Sequence, residues 1–272
     1  MKQLNQFIQE KLKINSKSKV VRYQYYPKTK KELFDIVINK IQESENILVD
    51  LNDIDISKIE DLSCLAEHII DNTTKYDHEK LNLDVSSWDV SNVKYMDSVF
   101  EDLHNFNCDL SSWDVSNVER MDNLFYGCYK FEGKGLERWN TSNVWDMRGT
   151  FKSCHNFTGK SIENWDVSQV EDISSIFRNC FDLNCDLSKW DISKVKWMNF
   201  TFYRCHNFEG KGLSKWTPKN VESMKSTFSV CKAFKEDIND WDKHFTKDIE
   251  FRTTFGDSTT FTQKNTPRWA QK

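Results

Sequence analysis

The chain has 272 residues, enough for one or two domains, and only 38% of them are hydrophobic. Its formal charge is −4 with acidic and basic residues interleaved, so we expect no nucleic-acid partner. No run approaches the roughly 18 apolar residues of a membrane span, and Met1–Glu10 carries no signal peptide or lipid-attachment cysteine. We therefore expect no membrane insertion and a cytoplasmic location, or the cell surface or a virion if another route exports the chain.

The N-terminal 50 residues lack the pattern of the rest and contain one helical stretch. Residues 29–42 follow Pro27 and place apolar side chains at helical spacing. Thr29 with Glu32 forms a capping pair at the start. We expect residues 1–50 to form an N-terminal cap that covers the first strand edge of the following domain.

A tryptophan then recurs every 25 or 26 residues. The seven positions are Trp88, Trp113, Trp139, Trp165, Trp190, Trp216 and Trp241. A fixed period in this range is typical of small supersecondary units that stack on their neighbours. The period therefore predicts a solenoid rather than a single globule with a pocket.

Each repeat has apolar residues five, eight and twelve positions after its tryptophan. In the second repeat these are Val118, Met121 and Phe125. Steps of three and four place them on one helical face. Ser116 stands where an N-cap belongs, and with Glu119 it completes a capping box. We predict one short helix of two to three turns in each repeat.

The segment Leu-x-x-Trp, such as Leu110 to Trp113, is the candidate strand. It is too short to be stable alone, so we expect it to pair with its neighbours about 4.8 Å away in a parallel sheet. The extra residues of longer repeats fall in glycine-containing turns at 132–135, 158–161 and 209–212.

The array extends beyond the clear tryptophans. Residues 54–62 match residues 88–96, with isoleucine in the tryptophan column and a longer insertion afterwards. Phe251, Phe255 and Phe261 continue the phenylalanine columns, and Trp269 follows at the spacing seen between Phe131 and Trp139. We assign residues 51–261 to about eight repeats, near 40 Å in length by the strand spacing, and residues 262–272 to a C-terminal tail or partial repeat.

The string WDVSNVxxMxxxFxxCxxF at residues 113–131 resembles the BspA-type leucine-rich repeat of bacterial surface proteins and mycoplasma lipoproteins. The resemblance covers residues 51–261 and, with the period, favours an α/β fold: a right-handed, leucine-rich-repeat-like solenoid of short parallel strands and one short helix per repeat. It implies an adhesion or protein-binding scaffold. The chain differs from such proteins in lacking a secretion signal, and similar repeats also occur in phage-borne genes.

Three polar columns suggest metal or disulfide chemistry, and each also has a structural interpretation. The cysteine column is Cys128, Cys154, Cys180, Cys205 and Cys231. Neighbours at one rung's spacing have the geometry to bridge if oxidised, but a reducing cytosol favours half-buried structural thiols. The next column is His104, Tyr129, His155, Phe181, His206 and Lys232. Its histidines, about 10 Å apart, are too distant to share a metal and are expected to stack.

The third column is aspartate, directly after tryptophan, at Asp89, Asp114, Asp166, Asp191 and Asp242. Turn chemistry at a helix start explains these residues better than calcium, which requires six to eight oxygens. The sequence also lacks a nucleophile elbow, a phosphate loop and a His-Glu-x-x-His motif. We therefore expect no metal, no cofactor, no catalytic residue and no enzymatic activity.

Residues that break the repeat are the candidates for binding. Large aromatics occupy columns that are otherwise polar at Trp145, Trp197, Phe200 and Tyr203. Trp197, Phe200 and Arg204 share one stripe of the predicted helix, and this composition is typical of interface hot spots. The alternative is that these side chains cover a neighbouring helix or a terminal cap.

A second variable surface is the residue pair before each tryptophan. Its candidates are Glu137, Arg138, Lys189 and Lys215. Variation at one structural position is how repeat scaffolds encode recognition, although a solvated surface varies too. The sequence thus predicts a non-enzymatic scaffold for an unidentified protein partner. The alternative is a self-associating structural component, for example of a phage particle or a cell envelope.

Overall fold

The computed structural model describes residues 23–73, 80–246, 248–251, 253–256 and 266–270. The regular elements of these residues are two α-helices, α1 (Lys30–Glu43) and α2 (Leu65–Asn72), and two short strands, β1 (Leu48–Asp50) and β2 (Asn82–Asp84). The strands pair in parallel, with Leu48 opposite Asn82. Five 3-10 helices complete the set: Leu136–Arg138, Lys160–Ile162, Leu213–Lys215, Asn239–His244 and Arg268–Ala270.

Helix α1 confirms the helix predicted for residues 29–42. Thr29 is its N-cap, and the Thr29 side chain accepts the backbone N–H of Glu32. Its apolar side is buried, and Phe34 packs against His68 of α2 with ring centroids 5.3 Å apart. Helix α2 occupies the insertion that separates the first repeat from Trp88. Residues 1–22 of the predicted cap lie outside the described residues.

Consecutive repeats lie side by side in sequence order, joined by a chain of parallel bridges. Each bridge links one residue to its equivalent in the next repeat: Asp61, Tyr95, Arg120, Asp146, Asp172, Trp197, Ser223 and Glu250. From Tyr95 to Ser223, each bridged residue lies seven positions after the tryptophan of its own repeat. A two-residue insertion places Glu250 nine positions after Trp241. Upstream, Tyr25 bridges Ile54, which places the chain before α1 beside the first repeat.

The prediction of one short helix in each repeat is wrong, because residues 80–246 contain no α-helix. Within 96–102, every second backbone N–H donates to a carbonyl of the next repeat, as Phe100 does to Leu124 at 3.0 Å. Ser98 and Asp102, which are two of these donors, take left-handed φ values of 54° and 57°. Apolar residues four apart therefore point inward without a helix, and the backbone bonds run between repeats rather than along one.

The Leu-x-x-Trp strand is also not formed. Trp113 N–H donates to Leu110 C=O at 3.1 Å across a tight turn, and two other repeats form a 3-10 helix there that ends just before tryptophan. Parallel pairing lies instead in the stretch that was predicted helical. We call this stretch, positions six to fourteen after each tryptophan, the paired segment.

The predicted capping box is absent because no helix begins beside it. Ser116 N–H donates to the Asp114 carboxylate at 3.0 Å, which is a two-residue aspartate turn. The N–H of Glu119 donates to Lys94 of the preceding repeat at 2.9 Å. The same aspartate turn at Asp89, Asp166 and Asp191 confirms turn chemistry for four members of the column. The hydrogen bond from Ser116 holds the pKa of Asp114 below its ordinary value.

The seven tryptophans of the repeat lie buried at equivalent positions of successive repeats, as their spacing predicted. All seven indoles are between 1% and 5% exposed. Trp139 stacks on Trp113 and Trp165 with centroids 6.1 and 5.8 Å away, and its Nε1–H donates to the Leu110 carbonyl. Trp269 continues the column, 6.2 Å from Trp241. Phe261, predicted in a later column, lies outside the described residues.

Buried cysteines line the core next to the phenylalanine columns. Cys154 is fully buried, and its thiol donates to the carbonyl of Phe125 in the preceding repeat at 3.0 Å. The other four members of the column bond in the same way. Burial raises the pKa of these thiols well above the ordinary value. The predicted structural role of the column is confirmed.

Candidate functional site

The paired segment carries aromatic side chains that the core does not use. We call them the outer aromatics: Tyr95, Tyr126, Trp145, Trp197, Phe200 and Tyr203. Trp145 is 46% exposed and Trp197 is 39% exposed. Residues 80–246 contain no α-helix, so the interpretation that Trp145 and Trp197 cover a neighbouring repeat helix is wrong.

Trp145 and Trp197 are connected through one intervening residue, Glu171. The Glu171 N–H donates to the Trp145 carbonyl at 3.0 Å, and the Trp197 N–H donates to the Glu171 carbonyl at 3.3 Å. The Lys196 ammonium lies 5.7 Å from the Trp197 ring and also forms a 2.7 Å ion pair with Glu171. The two exposed indoles are thus held on a backbone that neighbouring repeats fix from both sides.

Phe200, Tyr203 and Arg204 form a second cluster, together with an arginine that the sequence did not single out. Phe200 meets Tyr203 edge to face with centroids 5.8 Å apart. The Arg178 guanidinium lies 5.2 Å from both rings, and that of Arg204 lies 5.9 Å from Tyr203. The structure therefore places two of the three predicted stripe residues, Phe200 and Arg204, against Tyr203, whereas Trp197 lies against Lys196.

Phe200 and Arg204 have left-handed backbone conformations, with φ values of 57° and 61°. Equivalent positions in the four preceding repeats are filled by Ser, Asn, Gly or Asp: Ser98, Asp102, Asn123, Gly127, Gly149, Ser153, Ser175 and Asn179. These residue types tolerate this region, whereas a bulky side chain there is strained by about 1–3 kcal/mol. The repeat that begins at Trp190 therefore has a strained bulky residue at both of these positions.

A charged ladder runs beside Trp145. Arg120 contacts Asp122 at 2.9 Å and Asp97 at 3.4 Å, and Arg148 contacts Asp122 at 3.3 Å and Asp146 at 3.9 Å. Burial, together with the adjacent Asp122 carboxylate, raises the pKa of Asp97 to about 7. The Arg120 guanidinium also lies 5.7 Å from the Trp145 ring, so this ladder supports the exposed indole.

The second predicted surface lies on the turns before tryptophan. Glu137, Arg138, Lys189 and Lys215 are all exposed. Glu137 accepts the N–H of Gly135 at 3.2 Å, and Lys189 donates to Asn164 of the preceding repeat at 2.6 Å. These four residues are separate from the outer aromatics, and two of them serve contacts within or between repeats.

The predicted ring column stacks along five successive repeats. Centroid distances from His104 through Tyr129, His155 and Phe181 to His206 are 4.2, 4.5, 4.5 and 5.1 Å. This confirms the stacking interpretation. Burial lowers the pKa of His155 and of His206. Among the described residues, no group of three or more His, Cys, Asp or Glu side chains has the arrangement of a metal site.

Two cavities accompany these features. One, of about 320 Å³, is lined by Glu67, Ile70, Asp71, Glu101 and Asp102. Burial raises the pKa of Glu101 there, aided by the charge of Asp102. The other, of about 490 Å³, adjoins Phe245, Phe251 and Trp269. The sequence pointed to neither, because each cavity joins residues that are far apart in the chain.

Comparison with known proteins gives one match. The family model described as "Mycoplasma protein of unknown function, DUF285" matches residues 37–159 and 127–241. No curated protein and no solved structure matches the chain. In the described part of the chain, neither α-helix has the length and apolar character needed to cross a membrane.

Proposed function

The chain belongs to the DUF285 family, the family of BspA-like Mycoplasma and Spiroplasma repeat proteins, and we propose that it is a non-enzymatic scaffold that binds a protein partner. We further propose that residues 51–261 form a right-handed, leucine-rich-repeat-like solenoid. The parallel bridges from Asp61 to Glu250 support this architecture, because each joins a repeat to the next one along a single direction.

The observation that carries the binding role is the strained cluster of Phe200, Tyr203 and Arg204. A left-handed phenylalanine or arginine costs stability that serine, asparagine or glycine would avoid. The core gains nothing from it, since these three side chains remain partly or fully exposed. Aromatic and arginine side chains dominate the energy of protein interfaces. Residues that cost stability and lie at the surface are therefore the best candidates for partner contact.

Trp145 and Trp197 extend this cluster into a wider surface. Isolated exposed apolar residues are normal on soluble proteins, but these two indoles share a backbone-linked region with four other aromatic rings. Their neighbours Arg120 and Lys196 hold them by cation–π contacts rather than by burial. Large rigid rings that are held but not covered lose little side-chain entropy when a partner packs on them.

The test compares two double variants in a pull-down with the purified chain as bait. Trp145→Ala with Trp197→Ala should abolish capture of a specific partner, whereas Lys189→Ala with Lys215→Ala should leave it unchanged. Phe200→Gly separates binding from folding, because glycine relieves the left-handed strain while removing the ring. It should unfold no more easily than wild type and capture less partner. Full capture by both aromatic variants would overturn the proposal.

A self-assembling structural component is the alternative. It is favoured by the same outer aromatics, since five of the six rings have a cation beside them and two copies would present complementary groups. Light scattering at low and high salt tests it. Oligomers that persist at high salt and are lost in Trp197→Ala with Phe200→Ala would favour self-assembly over a separate partner. A monomer under both conditions would exclude it.

A further inference from the structure

Three cations lie along consecutive repeats beside the outer aromatics: Lys152, Arg178 and Arg204. Arg178 and Arg204 flank the same Tyr203 ring at 5.2 and 5.9 Å. The Lys152 ammonium lies 3.9 Å from the Tyr126 ring. Burial lowers the pKa of Lys152, and the charge of Arg178 lowers it further, so these two cations interact electrostatically. We call these three residues the cationic patch.

Among the described residues, the three cations of the patch have no carboxylate partner, unlike several other cations of the paired segments and turns. Lys196 pairs with Glu171 at 2.7 Å, and Lys211 pairs with Asp186 at 3.1 Å. Within the described part of the chain, neither Lys152 nor either arginine of the patch forms an ion pair. The Arg178 Nε atom is also buried without a hydrogen-bond acceptor. The arginines of the patch therefore lack the anionic oxygens that often accept hydrogen bonds from guanidinium groups.

We propose that the cationic patch binds an acidic segment of the protein partner. Carboxylates of that segment would accept hydrogen bonds from the guanidinium groups of Arg178 and Arg204, whose planar forks suit carboxylate geometry. Phe200 and Tyr203 lie against Arg178 and provide the apolar contact beside the charges. This inference rests on the proposed function, since it describes the partner of the same surface.

The surroundings favour a short acidic peptide over a long polyanion. Glu101 and Asp102 act electrostatically on both Lys152 and Tyr126, so they bound the patch at the preceding repeats. The whole chain carries a net charge of −4. A nucleic acid or an anionic membrane extends well beyond three cations and would meet these carboxylates. A segment with a few acidic residues fits within the positive region.

The probe is a fluorescein-labelled peptide with several glutamates around a single tyrosine, measured by fluorescence anisotropy on the full chain. Wild type should bind it, and less tightly at about 300 mM than at about 50 mM salt. Arg178→Gln with Arg204→Gln should weaken binding by about tenfold or more. Lys160→Gln with Lys219→Gln removes the same charge at two other exposed lysines and should leave binding unchanged. Arg178→Lys should recover only part of the affinity, because lysine lacks the planar fork.

Several results would overturn the inference. These are no binding by wild type, equal weakening by the two charge-matched variants, or tighter binding of an oligothymidine or of phosphatidylserine vesicles than of the peptide. If Arg178→Gln does not fold by circular dichroism, Lys152→Gln with Arg204→Gln takes its place under the same criteria. If Trp145→Ala with Trp197→Ala loses partner capture but wild type does not bind the peptide, only this inference fails. If wild type binds the peptide but the aromatic variants still capture the partner fully, the proposed function fails.

Discussion

Trp139 and Trp145 belong to one repeat and test the division between the core and the outer surface. Trp139 is 5% exposed, and Trp145 is 46% exposed. Burial of about 200 Å² at about 25 cal/mol per Å² gives roughly 5 kcal/mol for an indole. Neighbouring rings relax partly into the space, which keeps the cost of a buried tryptophan-to-alanine change within the usual 3–5 kcal/mol. We expect Trp139→Ala to lose about that much unfolding free energy.

The hydrogen bond of the indole adds a separable part. The Trp139 Nε1–H donates to the buried Leu110 carbonyl at 3.3 Å, and a bond of this kind contributes about 1 kcal/mol. Trp139→Phe keeps a stacked ring but loses the bond, so it should fall between wild type and Trp139→Ala. Trp145→Ala should change stability by less than about 1 kcal/mol, since its ring is half in solvent and gains only a cation–π contact with Arg120.

The assay is urea unfolding followed by far-ultraviolet circular dichroism on the four proteins under identical conditions. Midpoints are compared first, because a long repeat array can depart from two-state unfolding. A Trp145→Ala loss as large as that of Trp139→Ala would refute the separation of core and surface tryptophans. A Trp139→Ala loss below about 1 kcal/mol would refute the burial argument.

Three further measurements test other parts of the structure. Gly135→Ala should cost more than about 2 kcal/mol in urea unfolding, because φ is 94° and a Cβ would lie 2.2 Å from the Ser111 nitrogen; a neutral result contradicts the turn. Native alkylation with iodoacetamide, read by mass spectrometry, should modify exposed Cys64 first and leave the buried cysteine column intact until unfolding; early modification of Cys154 opposes its burial. The raised pKa of Asp97, about 7, means that folding favours its protonated form. Its stabilising contribution is therefore present below about pH 4 and lost as the pH rises through 7. The stability of Asp97→Asn relative to wild type should then increase from about pH 5 to about pH 8 by on the order of 1 kcal/mol; a constant difference would show that the two states share one Asp97 pKa.

The buried columns were predictable from the sequence because packing fixes residue type at each position. Tryptophan, phenylalanine and cysteine recur where each side chain stacks on its equivalent in the next repeat. The α1 helix was predictable for a different reason: its apolar spacing and the Thr29 cap are local signals. Both kinds of signal lie in the identity of residues at fixed spacing.

The backbone of the repeat was mispredicted because two conformations give the same apolar spacing. Residues at positions eight and twelve face one side of a helix. They also face the core when every second residue donates to the next repeat and every second one of these donors is left-handed. The distinguishing signal was in the sequence, at positions ten and fourteen. Ser98, Asp102, Asn123 and Gly127 are poor helix formers that tolerate positive φ. The spacing of apolar residues alone takes no account of these four residues.

The candidate site was predictable only in part. Trp145, Trp197, Phe200, Tyr203 and Arg204 stood out because each departs from its column. Arg178 and Lys152 did not, since a basic residue at a polar position is ordinary within one repeat. Their importance comes from adjacency between repeats, which places both beside aromatic rings. Such adjacency requires the register of neighbouring turns, and the mispredicted helix gave the wrong one.

The strain at Phe200 and Arg204 bears on how this array separates stability from recognition. Core side chains and backbone bonds between repeats hold the paired segment whatever its outer residues are, so positions ten and fourteen are free to vary at the cost of local strain. Four preceding repeats fill them with small or turn-favouring residues, which minimise that cost. A bulky residue at both positions of one repeat lowers stability without improving the core. Such a loss is tolerable where the rest of the array supplies a surplus, and it is useful only if the exposed ring and guanidinium do something outside the fold.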